Sequence, residues 1–198
     1  MNSAVSPPTP DRTTAPATSL RLDRYDNSDF DRGATRFKEA LWVLCKCAFF
    51  LHPFPWPAAL RVRLLRLFGA KIGGGVVIRS GVNITFPWRF ETGDHVWIGE
   101  EVYILSLAQV TLGSHVCLSQ RAFLCTGSHD WRRETFDLQT RSIVVENSVW
   151  ISAQVFVGPG VRIGKNSVIG AGTVVMKTVP GDSLAKGNPA VVSEKKPD

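Results

Sequence analysis

The 198-residue chain has little of what marks several large classes of protein. Its four cysteines, Cys45, Cys47, Cys117 and Cys125, make no Cys-x-x-Cys pair and match no zinc-site spacing. They stand in apolar runs, where a free thiol acts as a small hydrophobe, so a reducing cytoplasm is the expected setting. There is no apolar run near the roughly 20 residues a spanning helix needs. The longest, Ala40 to Phe54, is broken by Lys46 and His52 and runs into prolines. The N-terminus lacks a basic, apolar and small-residue succession, and no signal peptide is expected. Acidic residues are the minority, 17 against 23 Lys and Arg. That balance admits a polyanionic partner, whether nucleic acid, a membrane surface or a phosphate-bearing cofactor. The basic residues gather at Arg61, Arg63 and Arg66 and at Lys177, Lys186, Lys195 and Lys196, with no interleaved aromatics, so nucleic acid is not expected. The length holds one domain with appendages and excludes a second of similar size.

What is present divides into four stretches. Residues 1–32 are rich in Ser, Thr, Pro, Asp and Arg and offer little to bury, which predicts a flexible arm. Residues 33–69 predict a helical cap. Phe37, Leu41, Leu44, Cys45, Ala48 and Leu51 recur at helical spacing, as one buried stripe, until prolines 53, 55 and 57. A second helix, Ala58 to Phe68, ends at Gly69. The pair reads as a lid on a repeat stack or, alternatively, as a peripheral element lying on a membrane surface.

From residue 70 to 180 the period becomes six. Val145, Ile151, Val157, Ile163, Ile169 and Val175 stand in phase, each followed four places on by a small or β-branched residue. Leu112, Leu118 and Leu124 form an earlier register, Ile98, Ile104 and Val110 another, and Ile72, Ile78 and Ile84 a first. No helix has this period, and simple strand alternation does not keep so many hexads in phase. The expectation is a mainly β fold, a single-stranded left-handed parallel β-helix with N-terminal helices. Residues 181–198 read as a tail. The repeat slips after Ile84 and near Val110, and breaks outright over residues 126–142. An insertion in a solenoid must leave the coil as a loop, and this one, polar and carrying His129 and Trp131, is the expected active site.

The hexads, the Leu124-Cys125-Thr126-Gly127-Ser128-His129-Asp130 segment, Val149-Trp150-Ile151, the run Val168 to Val175 and Lys186-Gly187-Asn188-Pro189-Ala190 resemble the hexapeptide-repeat acyltransferases. The nearest branch is that of colanic acid biosynthesis acetyltransferases, with maltose, galactoside and nodulation acetyltransferases as cousins. The resemblance spans roughly residues 70 to 192. It implies acetyl transfer from acetyl-CoA to a sugar hydroxyl, on an exopolysaccharide precursor near the inner face of the cytoplasmic membrane, without a metal. His129 would be the catalytic base, imidazole being suited to that work near neutral pH. Backbone amides would hold the oxyanion. The resemblance further implies a homotrimer with coenzyme A in a groove between subunits. Ala153, Gly170 and Ala171 would line the pantetheine, and Lys177 and Lys186 would face the phosphates.

Asp130, Trp131 and Arg132 are candidates for the acceptor. The sugar-binding Asn and Asp of galactoside-type relatives have no counterpart in Tyr103 to Gln109, which leaves the acceptor open between a sugar and an antibiotic, a serine or a lipid-linked compound. A non-catalytic trimeric scaffold is the rival of another class. A zinc site built from His95, His115 and His129 is disfavoured by their separation of 20 and 14 residues.

Overall fold

The computed structural model describes residues 19–195. Each hexad makes one two- or three-residue strand, and three strands close a coil. The strands stack into three parallel sheets. The first contains Phe90–Thr92, Val110–Leu112 and Ile143–Val145, the second Trp97–Ile98, Cys117–Leu118 and Trp150–Ile151, and the third Tyr103–Leu105, Phe123–Cys125 and Phe156–Val157. The result is a parallel β-solenoid of about six turns.

Registry explains the sequence period. Ile78 stacks on Ile98, Ile98 on Leu118, Leu118 on Ile151 and Ile151 on Ile169. These residues are fully buried, and each contributes about 1.5–3 kcal/mol by leaving water. The coil step is 20 residues from Ile78 to Ile98 and 18 from Ile151 to Ile169. The two apparent slips of the repeat are this difference. Val110 and Leu112 both point inward from one strand, and the extra pair of residues widens the corner between the third and first sheets.

The corners select their own residues. After each strand of the first sheet the chain takes a left-handed conformation, at Gly75 and then at His95, His115, Ser148, Asn166 and Asp182, the last five with φ between 55° and 60°. His95 and His115 are therefore stacked corner residues, their rings 5.2 Å apart. Gly113 answers to a different demand: a Cβ there would lie 2.3 Å from Asn147 Oδ1 and 2.7 Å from its backbone nitrogen.

Two helices close the N-terminal end. Thr35 caps α1 (Arg36–Lys46), which runs into a π turn over Cys47–Leu51; α2 spans Ala58–Leu67. Trp42 anchors the cap. It is fully buried against Phe50 and Phe68, and its indole donates to Ile84 O at 3.0 Å.

Two expectations need correcting. The apolar stripe of α1 is not its buried side: Phe37 and Leu44 are 74% and 69% exposed, because Trp42, Cys45 and Phe49 turn inward instead. Of the expected flexible arm, residues 1–18 lie outside the described residues, whereas 19–32 are held against the solenoid. Phe30 stacks on Phe86, and Arg89 donates to the carbonyls of Asp31 and Leu107. The C-terminal tail is also structured as far as it is described. Ser183–Lys186 joins the second sheet in parallel, and Val191–Glu194 turns back antiparallel upon it.

Candidate active site

The loop leaves the solenoid after Cys125 and re-enters at Ile143, the bounds at which the hexads stop. Its neck is pinned by Thr126, whose hydroxyl donates to Leu105 O at 2.6 Å and accepts from Ala108 N at 2.9 Å. From there the chain forms an antiparallel ribbon, Gly127–His129 against Leu138–Thr140, with His129 opposite Leu138. The tip is a network of turns. Asp130 Oδ1 accepts from Arg132 N at 3.1 Å, Asp130 N donates to Asp137 O at 2.9 Å, and Arg133 is paired with Asp137.

His129 is half-buried in this frame. Its Nδ1 lies 2.8 Å from Phe136 O. A carbonyl only accepts, so Nδ1 donates, and in the neutral ring this leaves the lone pair on Nε2. Phe136, at φ 52°, also lays its ring parallel to the imidazole at 4.2 Å, and Tyr25 meets it edge-on at 5.5 Å. The arm is tied to the loop by Arg24 and Glu134, 3.0 Å apart, and by Arg21 N donating to Glu134 O.

Arm, loop neck and solenoid corner line an open cavity of about 760 Å³. Its polar lining is acidic, with Asp26, Asp29, Asp31 and Asp137 facing Arg89 and Gln109. The guanidinium of Arg89 is engaged by two carbonyls and, at 3.8 Å, by the Asp31 carboxylate, and Gln109 Nε2 is buried without a partner. Sequence reasoning missed Tyr25, the Phe136 carbonyl, Gln109 and the arm aspartates. The only signal for the arm was its spaced aspartates, which read equally well as solvated charge.

The other candidate residues separate by edge. Ala153 lies at the corner between the second and third sheets, where Gly172 N donates to Ala153 O at 3.0 Å, and Gly170 and Ala171 occupy the next coil of that edge. Lys186 passes over Gly170 at the end of its strand. Lys177 does not join them; it follows Val174–Val175, on the edge between the third and first sheets from which the loop departs. Asp130 is engaged in its own turn, whereas Trp131 is exposed with Arg132 lying 4.9 Å over its ring. Burial pushes the thiols of Cys45, Cys117 and Cys125 up, which disfavours a thiolate nucleophile at any of them. Among the described residues no group of three or more His, Cys, Asp or Glu is placed to hold a metal ion.

Comparison with known proteins decides the lineage. Residues 142–177 match the bacterial transferase hexapeptide (six repeats) family. The putative colanic acid biosynthesis acetyltransferase WcaF of Escherichia coli K12 is 42% identical over 161 residues, covering 81% of this chain and 88% of that protein. The chain belongs to the hexapeptide-repeat acetyltransferases. Within this family the galactoside O-acetyltransferase of Escherichia coli K12 is 29% identical over 146 residues, covering 72% of each chain. A hexapeptide-repeat acetyltransferase of Vibrio cholerae crystallised with acetyl coenzyme A superposes with a TM-score of 0.74 at 28% identity, covering 83% of this chain and 92% of that one. Galactoside acetyltransferase in complex with coenzyme A superposes at 0.75 with 26% identity, covering 85% and 86%.

Proposed function

We propose that this acetyltransferase moves an acetyl group from acetyl-CoA to a saccharide hydroxyl, with His129 as general base. The observation that carries the proposal is the contact of His129 Nδ1 with Phe136 O, which fixes the tautomer whose Nε2 accepts a proton. In the reaction the acceptor hydroxyl gives its proton to Nε2 as its oxygen attacks the thioester carbonyl. Backbone N–H groups hold the developing oxyanion. Collapse breaks the carbon–sulfur bond, and the coenzyme thiolate leaves with the proton held on the imidazole. No acyl-enzyme forms, which agrees with cysteines that burial keeps protonated.

The 760 Å³ cavity next to the histidine strand suits a polyhydroxylated acceptor, since its carboxylates retain lone pairs that accept hydroxyl hydrogens while their charge repels a phosphate. An exopolysaccharide precursor fits the likeness to the colanic acid relative. The coenzyme would lie along the edge formed by Ala153, Gly170 and Ala171. That edge and the loop leave different corners of one prism, so a joint site calls for a second copy, as in a homotrimer. The outward columns support such packing: Trp97 and Trp150 are about half exposed on the second sheet, and Tyr103, Phe123 and Phe156 stack along the third.

The test is release of coenzyme A thiol from acetyl-CoA with a panel of sugars, comparing the protein with His129→Ala. Turnover that disappears in a folded variant supports the mechanism. Equal turnover in both removes His129 from its centre, and absence of acetyl-CoA binding in both leaves the scaffold.

A further inference from the structure

The helical cap carries a face that the other described residues leave open. Phe37, Leu41, Leu44, Ala48 and Leu51 recur every three to four residues along α1 and its π turn, and all are exposed, as is Phe54 beyond them. An apolar face of this length on a protein surface marks a contact with another phase or molecule.

Charge identifies the partner. From residue 40 to residue 90 the sequence contains no Asp or Glu and seven Lys or Arg. Of these, Lys71, Arg79 and Arg89 find carboxylates from elsewhere in the fold. No ion pair among the described residues engages Arg36, Lys38, Lys46, Arg61, Arg63 or Arg66.

Arg61 is the unusual member, only 3% exposed. It donates to the carbonyls of Phe49, Trp56 and Ile78, and its Nη2 meets no partner. Buried charges are ordinarily paired with an opposite charge. Arg79, of the same sign, disfavours the charge of Arg61 further. Beside Arg61 lies a cavity of about 290 Å³ lined also by Trp56, Arg79 and Ser80, and the Trp56 ring stands 4.5 Å from that of Phe54. The cavity thus adjoins the apolar face.

We propose that the cap binds the surface of an anionic phospholipid bilayer, its apolar side chains entering the headgroup boundary and a lipid phosphate entering the cavity at Arg61. The bilayer supplies the negative charge that residues 40–90 lack. A second copy applied to the same face about a two-fold axis would set cations against cations. The contact is peripheral, since no helix among the described residues is long and apolar enough to cross a membrane. The proposal goes beyond acetyl transfer and stands apart from it.

Co-sedimentation of the full chain with phosphatidylcholine vesicles, with and without phosphatidylglycerol, tests it. Binding to the anionic vesicles should exceed binding to the neutral ones at least about ten-fold and weaken with salt. Phe37→Ser with Leu44→Ser should lower it by about ten-fold or more without changing the thermal midpoint or acetyl transfer to a water-soluble acceptor. The fold tolerates this pair because both side chains are already exposed. Failure to bind anionic vesicles, or equal binding to neutral ones, overturns the proposal. So does a wild-type oligomer that the double variant dissociates, which would assign the face to a second copy.

Discussion

Replacing His129 by Asn separates the two things the imidazole does in the loop. The amide nitrogen of Asn can occupy the place of Nδ1 and donate to Phe136 O, now 2.8 Å away. The hydrogen bond that holds the ribbon tip is kept, while nothing remains at the position of Nε2. Losing the ring forfeits its stacking on Phe136 at 4.2 Å and its edge contact with Tyr25 at 5.5 Å. Aromatic pairs contribute about 0.5–1.5 kcal/mol each beyond burial. The unfolding free energy should therefore fall by about 1–3 kcal/mol, and the protein should stay folded. A positioned general base contributes about 10²–10⁴ in rate, which is about 2.7–5.4 kcal/mol of barrier at 1.36 kcal/mol per decade. The assay is coenzyme A thiol release at saturating acetyl-CoA, together with urea melts of wild type, Asn and Ala forms. Asn and Ala should be slowed alike, with KM for acetyl-CoA unchanged. If the Asn form keeps more than about a tenth of wild-type kcat while the Ala form does not, the histidine serves to hold the loop rather than to take a proton.

Leu118→Ala, in the middle of the second-sheet column, should cost about 2–5 kcal/mol in a urea melt, whereas outward-facing Thr111→Ala should stay within about 0.5 kcal/mol. A thiol reagent at pH 8 should label exposed Cys47 fastest, half-buried Cys45 and Cys117 more slowly because burial raises their thiols, and buried Cys125 only on unfolding. Glu100 is held low by Arg79, and Glu146 by the Lys165 amide and Arg162. Depressed carboxyls stabilise the fold above their unfolded pKa and lose that contribution as pH falls through the folded one. Glu100→Gln with Glu146→Gln should accordingly flatten the acid limb of thermal midpoint against pH.

The solenoid was legible because its period is imposed by geometry at every coil, so that Ile78, Ile98, Leu118 and Ile151 each repeat the same demand. The loop was legible as the place where that demand stops. The orientation of α1 was not: Leu41, Trp42, Val43, Leu44 and Cys45 are apolar in succession, and a helix apolar on several sides does not announce which side meets the core. Trp42 won because Ile84 O was there to take its indole proton. The arm escaped for a different reason. Composition measures what a segment can bury by itself, and residues 19–32 are ordered by distant partners, Phe86, Arg89 and Glu134. Within one chain Lys177 follows Val174–Val175 on a different edge from Ala153, Gly170 and Ala171, a placement that sequence spacing does not record.

The antiparallel return of Val191–Glu194 sets the length of the particle. A parallel coil exposes at its last rung the same template it used for every rung before, and identical chains could add to it without end. Here the final parallel strand, Ser183–Lys186, is already occupied by a strand running the opposite way. At the other end α2 lies across the first coil, with Arg66 donating to the carbonyls of Ile72 and Gly73. Addition of a further parallel strand to the second sheet is thus blocked at its last rung, and the first coil is covered at the other end.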